Sequence, residues 1–172
     1  MKISSKAAIL LALLAPTLPT ANAAVATAIM TNTVAVIAVC AISATGFSTT
    51  YDPTGANASA NQDVTGSVST LCTNGASATI TLGQGLYAAP GSTDAAPLRR
   101  LSSGGGSPTY LNYSLSQDAS RTVAWGNTLA TGVAVNGTGV LAPVNAYARL
   151  PSAQTNATVG TYTDTVIATV VF

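Results

Sequence analysis

Few side chains in these 172 residues can do chemistry. The chain has no histidine and no glutamate, and its lysines are Lys2 and Lys6 alone. Serines are plentiful, but a Ser-His-Asp site has no base to deprotonate its nucleophile. The five carboxylates are Asp52, Asp63, Asp94, Asp118 and Asp164. They are scattered and mostly sit in turn sequences: Asp52 precedes Pro53, and Asp118 follows a strand-like stretch. Nothing in their spacing suggests the paired carboxylates of glycoside hydrolysis, and no His, Cys or carboxylate cluster has metal-ligand spacing. Gly83-Gln84-Gly85 and Gly104-Gly105-Gly106 lack the lysine and the strand-to-helix context of a phosphate loop. The expectation is a structural or binding protein rather than an enzyme, with no catalytic residue, metal or cofactor.

The remaining reactive groups are two thiols, Cys40 and Cys72. Their fate depends on the compartment, and the first residues speak to that. "MKISSKAAILLALLAPTLPTANA" carries Lys2 and Lys6, an apolar run from Ala7 to Ala15, and a small-x-small end at Ala21-Asn22-Ala23. The run is too short to span a bilayer and reads as a secretory signal peptide over residues 1–23. Cleavage after Ala23 leaves 149 residues with no lysine, four arginines and five aspartates, a net charge of −1. Such a chain has no basic surface for nucleic acid and no polybasic patch for anionic lipid. No later stretch is long and apolar enough for a membrane-spanning helix. In an exported chain an even cysteine pair reads as a disulfide, and closing this loop is worth roughly 3.5–4 kcal/mol in the chain-entropy model.

The elements that position these residues read as strands. "VTGSVSTLC" puts Val64, Gly66, Val68, Thr70 and Cys72 on one face. "ASATITL" turns Ala78, Ile80 and Leu82 inward. "YLNYSLSQD" alternates Leu111, Tyr113 and Leu115 against Asn112, Ser114 and Ser116. "VNAYARL" sets Val144, Ala146, Ala148 and Leu150 against Asn145, Tyr147 and Arg149. The strongest alternation is in "GTYTDTVIATVVF", with Tyr162, Asp164, Val166, Ala168, Val170 and Phe172 on one face. "TYDPTGANASANQD" and "GQGLYAAPGSTDAAP" are loop chemistry, Gly104–Gly106 is a hinge or hairpin tip, and Asn136-Gly137 between Val-rich arms is a type I′ hairpin signal. Val34 to Val39 is apolar on both phases and is expected to be covered on both faces. Seven or eight short strands and no helix make an antiparallel all-β sandwich of immunoglobulin-like size. The uncharged segment Ala24–Val39, without Pro or Gly, is either an ordinary first strand or an exposed strand that seeks a partner sheet.

Three stretches, in order, resemble one family. "CAISAT" with "YDPTGANASANQDVTGSVSTLCTNG" looks like the first half of a spore coat protein U domain. "YLNYSLSQDASRTVAWGNT" resembles that family's central "YNLY-D-ARTxxWG" segment, and "YARLPSAQTNATVGTYTDTVIATVVF" its closing "GRIPxxQ…GxYxDTVxVTVxF/Y". The family includes subunits of archaic, Csu-type chaperone–usher pili, the biofilm fimbriae of Gram-negative bacteria. The resemblance implies an incomplete immunoglobulin-like sandwich over residues 40–172 whose final strand is supplied in trans, preceded by a donor-strand segment over residues 24–39. It implies export through the periplasm to a cell-surface fimbria used for adhesion and biofilm formation. Its partners would be a periplasmic pilus chaperone, an outer-membrane usher and neighbouring subunits.

On that resemblance the strand after the closing motif is not encoded. Val166, Val170 and Phe172 would line the acceptor groove, first for the chaperone and then for a neighbour. Counting back from Cys40, the donor residues would be Met30, Val34 and Val36, with Asn32 in the same phase; a one-residue shift presents Ile29, Thr31, Thr33 and Ala35 instead. Three such side chains, fully buried, contribute on the order of 5–8 kcal/mol, and ladder hydrogen bonds add roughly 0.5–1.5 kcal/mol each. Cys40 and Cys72 fit the family's cysteine pair, which ties the start of the body to an inner strand. Tyr110, Tyr113 and Trp125 are expected to pack at the sandwich edge rather than to serve as adhesive contacts. Two alternatives share some of these features. A stand-alone secreted sandwich, a coat or carbohydrate-binding protein, would pair the N-terminal segment within its own sheet. A small outer-membrane β-barrel would also end in an alternating strand with a terminal Phe, although aromatics are too sparse for two interfacial girdles.

Overall fold

The computed structural model describes residues 22–172. The expected signal sequence, apart from its last two residues, lies outside the described residues. The chain divides into a segment ending at Ala35 and a body from Val36 to Phe172. Residues 22–35 form no strand and are exposed throughout.

Eight strands build the body: β1 (Cys40–Thr45), β2 (Gln62–Cys72), β3 (Ser77–Leu82), β4 (Arg99–Ser102), β5 (Tyr110–Ser116), β6 (Val133–Asn136), β7 (Ala142–Leu150) and β8 (Ala168–Val171). They form a five-stranded sheet in the order β1-β2-β7-β5-β4 and a three-stranded sheet in the order β6-β3-β8. Every pairing is antiparallel. This is the immunoglobulin-like sandwich expected from the alternation. The helical content of the described residues is two 3-10 turns, at Ala56–Ala58 and Leu129–Thr131.

Period-two patterning explains the core directly. The inward residues of β2, β3, β5 and β7 supply Val68, Ile80, Leu82, Leu111, Tyr113, Leu115, Ala146, Ala148 and Leu150, and Trp125 joins them. A smaller cluster of Cys72, Ala76 and Ala78 packs against Cys40, Val135 and Val170. The outward faces of β2 and β7 meet in an exposed pair: Arg149 donates to both oxygens of Asp63, at 2.7 and 2.8 Å. That hydrogen bond, with the nearby Arg121 charge, holds the Asp63 carboxyl below its ordinary value. The stabilisation is present at neutral pH, above the unfolded carboxylate pKa, and fades as pH falls through the folded one. Because the pair is solvated, Asp63→Asn should cost under about 1 kcal/mol at pH 7, read as a shift in the urea midpoint that vanishes in acid.

Four sequence expectations are corrected, and one strand that the alternation did not announce is added. Val34–Val39 is not covered on both faces: residues 34–39 are exposed, and pairing begins at Cys40. No strand among the described residues flanks them; Val39 is held only by Thr73, whose N–H donates to the Val39 carbonyl at 2.9 Å.

Asn136-Gly137 is not a two-residue hairpin. β6 pairs with β3, while β7 lies in the other sheet, so this stretch crosses between layers. Gly137 is required for a different reason. Its N–H donates to the Ala76 carbonyl at 2.7 Å, and an added Cβ would collide with the Thr73 carbonyl and come within 2.9 Å of the Cys72 Cβ.

Arg99–Ser102 is a strand, β4, where two consecutive arginines hide the alternation. Trp125 and Tyr113 are core residues rather than edge aromatics. The final strand is shorter than its pattern. Thr163 bridges Ser102 of β4, the Thr165 and Ile167 carbonyls accept from Leu86 and Gly83, and regular pairing with β3 covers only Ala168–Val171.

Candidate functional site: a groove between two strand edges

β1 pairs only with β2, and β8 only with β3, so each sheet leaves an edge here. Two connected clefts, of about 390 and 700 Å³, open beside these edges and share Phe47, Leu101, Tyr162 and Thr163. The smaller has Ala44–Phe47 along one side and Tyr162–Val166 with Ala168 along the other. It reaches down to Val68, Leu82, Tyr113, Leu115 and Ala146. The larger lies between Phe47–Tyr51 and Ala157–Thr163 and reaches Leu101, Leu111 and Leu150. The residues at the bottom of both clefts are the hydrophobic core itself. Soluble sandwiches normally close such a seam, because covering the half-buried apolar side chains along it stabilises by roughly 25 cal/mol per Å² removed from water.

The final segment forms one wall because its alternation survives folding. Tyr162, Asp164, Val166, Ala168 and Val170 are half-buried, while Thr161, Thr163, Thr165, Ile167 and Thr169 face out. Of the groove residues expected from sequence, Val166 lines the smaller cleft and packs on the core. Val170 packs beside Cys72 instead. Phe172 lies past β8, is 57% exposed and lines neither cleft. Met30, Val34 and Val36 are 81%, 89% and 82% exposed.

Polar residues that sequence reasoning overlooked organise the same wall. The Tyr113 hydroxyl donates to Asp164 Oδ2 at 2.7 Å, and Asp164 Oδ1 accepts from the Leu86 and Thr165 N–H groups, both at 2.8 Å. Burial, reinforced by the Asp164 carboxylate, pushes the Tyr113 hydroxyl far above its ordinary value, so it remains a donor. Arg99 is only 2% exposed. Its Nε donates to the Gly83 carbonyl at 2.9 Å, and its Nη2 donates to the Leu82 and Trp125 carbonyls at 2.9 and 2.8 Å. Burial lowers its pKa, yet a guanidinium stays charged at physiological pH. A signal did exist for Asp164: it is an acid in the apolar phase of the best strand pattern. For Arg99 the sequence carried none.

The two thiols are bonded. Cys40 and Cys72 face each other in the β1–β2 register, and the disulfide joins the first residue of β1 to the last of β2, with Cα atoms 4.1 Å apart. Among the described residues no three acidic or cysteine side chains gather as metal ligands, and no helix is long and apolar enough to cross a membrane. The described strands form two separate sheets with free edges, not the closed cylinder that an outer-membrane barrel requires.

Comparison with known proteins agrees with the motif reading. The family model described as Spore Coat Protein U domain matches residues 26–169. Protein U of Myxococcus xanthus is 49% identical over 125 residues, spanning 72% of this chain and 69% of that protein. In structure, the chain aligns with the CsuC-CsuE chaperone–tip adhesion subunit pre-assembly complex of archaic chaperone–usher Csu pili from Acinetobacter baumannii. That alignment has a TM-score of 0.49 and 20% identity, and covers 80% of this chain but 40% of the other. From the family match over most of its length, and the close relation to Protein U, it follows that this chain belongs to the spore coat protein U domain family.

Proposed function

We propose that the chain is a structural subunit of an archaic chaperone–usher fimbria, polymerising by donor-strand exchange. The observation that carries this reading is the open groove: two free edges, one per sheet, with apolar clefts between them that are floored by the buried core and walled by the half-buried Phe47, Leu101, Tyr162 and Val166. One added strand would cover that core and satisfy the edge hydrogen bonds of the final segment. The segment 24–39 has the complementary character. It is uncharged, rich in β-branched residues, in no strand and exposed. Residues of that kind gain by burial in a neighbour's groove, with Val166 and its wall partners receiving them.

Assembly then proceeds in two steps. After export and removal of the signal sequence, a periplasmic chaperone lends a strand that keeps the core covered. At an outer-membrane usher the chaperone strand is exchanged for the N-terminal segment of the next subunit. The contact is heterologous, so it propagates as a filament instead of closing as a dimer. The disulfide suits an oxidising compartment, and the fibre serves surface adhesion and biofilm formation.

The test is migration on SDS gels without boiling, for protein co-produced with its chaperone and usher. The intact chain should give a ladder of SDS-resistant multimers that collapses on boiling. Deleting Ala24–Val39 should remove the ladder while the body is still recovered with the chaperone. A lone monomer from the intact chain would reject the fibre in favour of a self-contained sandwich.

A further inference from the structure

We infer that Asn32 sets the donor-strand register by docking on the Asp164–Tyr113 pair of the next copy, with the two strands antiparallel. This inference rests on the donor-strand reading above. Its starting point is a coincidence of two exceptions. The wall of the groove presents Tyr162, Asp164, Val166 and Ala168 in one phase, and Asp164 is the only charged member. In the donor segment, Met30, Asn32, Val34 and Val36 share one phase, and Asn32 is the only polar member.

Asp164 has capacity left for a ligand. Each carboxylate oxygen has about two lone-pair sites for hydrogen bonds. Oδ1 is occupied by the Leu86 and Thr165 N–H groups and, at 3.4 Å, the Tyr87 N–H, whereas Oδ2 receives only the Tyr113 hydroxyl. Both Asp164 and Tyr113 line the smaller cleft. The amide of Asn32 brings two N–H donors, one for Asp164 Oδ2 and one for the lone pairs of the Tyr113 oxygen. A slip of two residues keeps the phase but lays Met30 or Val34 over the carboxylate, desolvating it and leaving the second Oδ2 lone pair unpaired.

Side-chain size fixes the direction. Antiparallel pairing with Asn32 opposite Asp164 puts Met30 opposite Val166, Val34 opposite Tyr162 and Val36 opposite Gly160. These are positions beside the two clefts. The same register carries Ala28 and Ala26 to Ala168 and Val170, where the clefts end and β1 and β8 come into contact. Large donor residues meet space and alanines meet the narrow end. Parallel pairing reverses this, taking Val36 to Ala168 and Ala28 to the wide end. Antiparallel addition also continues the pattern of the β6-β3-β8 sheet.

Directly opposed residues have Cβ atoms about 4.5–5.5 Å apart, close enough for an engineered disulfide after small adjustment. The experiment uses the full chain assembled with its chaperone and usher, carrying Met30→Cys together with Val166→Cys, Ala168→Cys or Tyr162→Cys. The native cysteines are already paired. The expected result is an intersubunit cross-link at least about five-fold stronger for the Val166 partner than for the others. Adding Asn32→Leu should cut that preference below about two-fold. A preference for Ala168 or Tyr162, or a preference unchanged by Asn32→Leu, overturns the inference while SDS-resistant multimers leave the fibre reading standing. If the unmodified chain forms no such multimers, the fibre reading fails and the register goes with it.

Discussion

Arg99→Met should lower the stability of the body by about 3–5 kcal/mol, a large fraction of what a domain of this size possesses. Methionine fills most of the same space, so the loss is not chiefly a cavity. It comes from three carbonyls, of Leu82, Gly83 and Trp125, that lose a charged donor. Each buried acceptor left without a partner costs on the order of 1–3 kcal/mol, and the three are too close to add fully. Arg99→Lys should recover little. One ammonium cannot reproduce a planar fork that reaches carbonyls from both β3 and the Trp125 segment. The neighbouring arginine is the control. Arg100 donates to the Tyr87 and Ala88 carbonyls and lies over the Tyr110 ring at 4.1 Å, but it is half-exposed. Arg100→Met should cost only about 1 kcal/mol. Urea unfolding followed by fluorescence reads both, because Trp125 is the single tryptophan and is fully buried. The expected result is a large midpoint shift at unchanged slope for Arg99. Equal, small shifts for both arginines would refute the clamp.

Removing the disulfide, by Cys40→Ser with Cys72→Ala, should cost about 3.5–4 kcal/mol from loop closure alone. For a chain of this length that is a fall of about 8–15 °C in Tm. The position of the bond makes the consequence local as well as global. β1 has a single partner strand, and the bond ties the first β1 residue to the last of β2. Without it, β1 is an edge strand of six residues held by its ladder and by Ile42 against the core. The chain that follows β1, Gly46 to Tyr51, lines the groove. On the donor-strand proposal, its fraying should weaken capture of a donor strand before the body unfolds. Scanning calorimetry of the oxidised and substituted chains checks the first effect, and the yield of chaperone-bound subunit checks the second. Identical melting of the two forms would show that the bond closes nothing the fold needs.

The alternation in β2, β3, β5 and β7 was legible because each of these strands puts one face on a single shared core. Hydrophobic period two is then a direct record of burial. The same logic exposed the wall from Tyr162 to Val170, while the cysteine pairing was legible from an even count in an exported chain. Other features depended on atoms far away in the chain. Gly137 looked like a hairpin residue until the Thr73 carbonyl occupied the space where its side chain would be. Two arginines side by side concealed β4, and one of them is buried because carbonyls from Leu82, Gly83 and Trp125 converge on it. Val34–Val39 looked doubly covered because its composition is that of an inner strand, yet it is exposed. Residue types and their period are local properties, and they determined the class, the strands and the apolar faces. Which edges remain open, and where a buried charge finds its partners, are set by contacts between distant segments. Those only the packed sandwich decided.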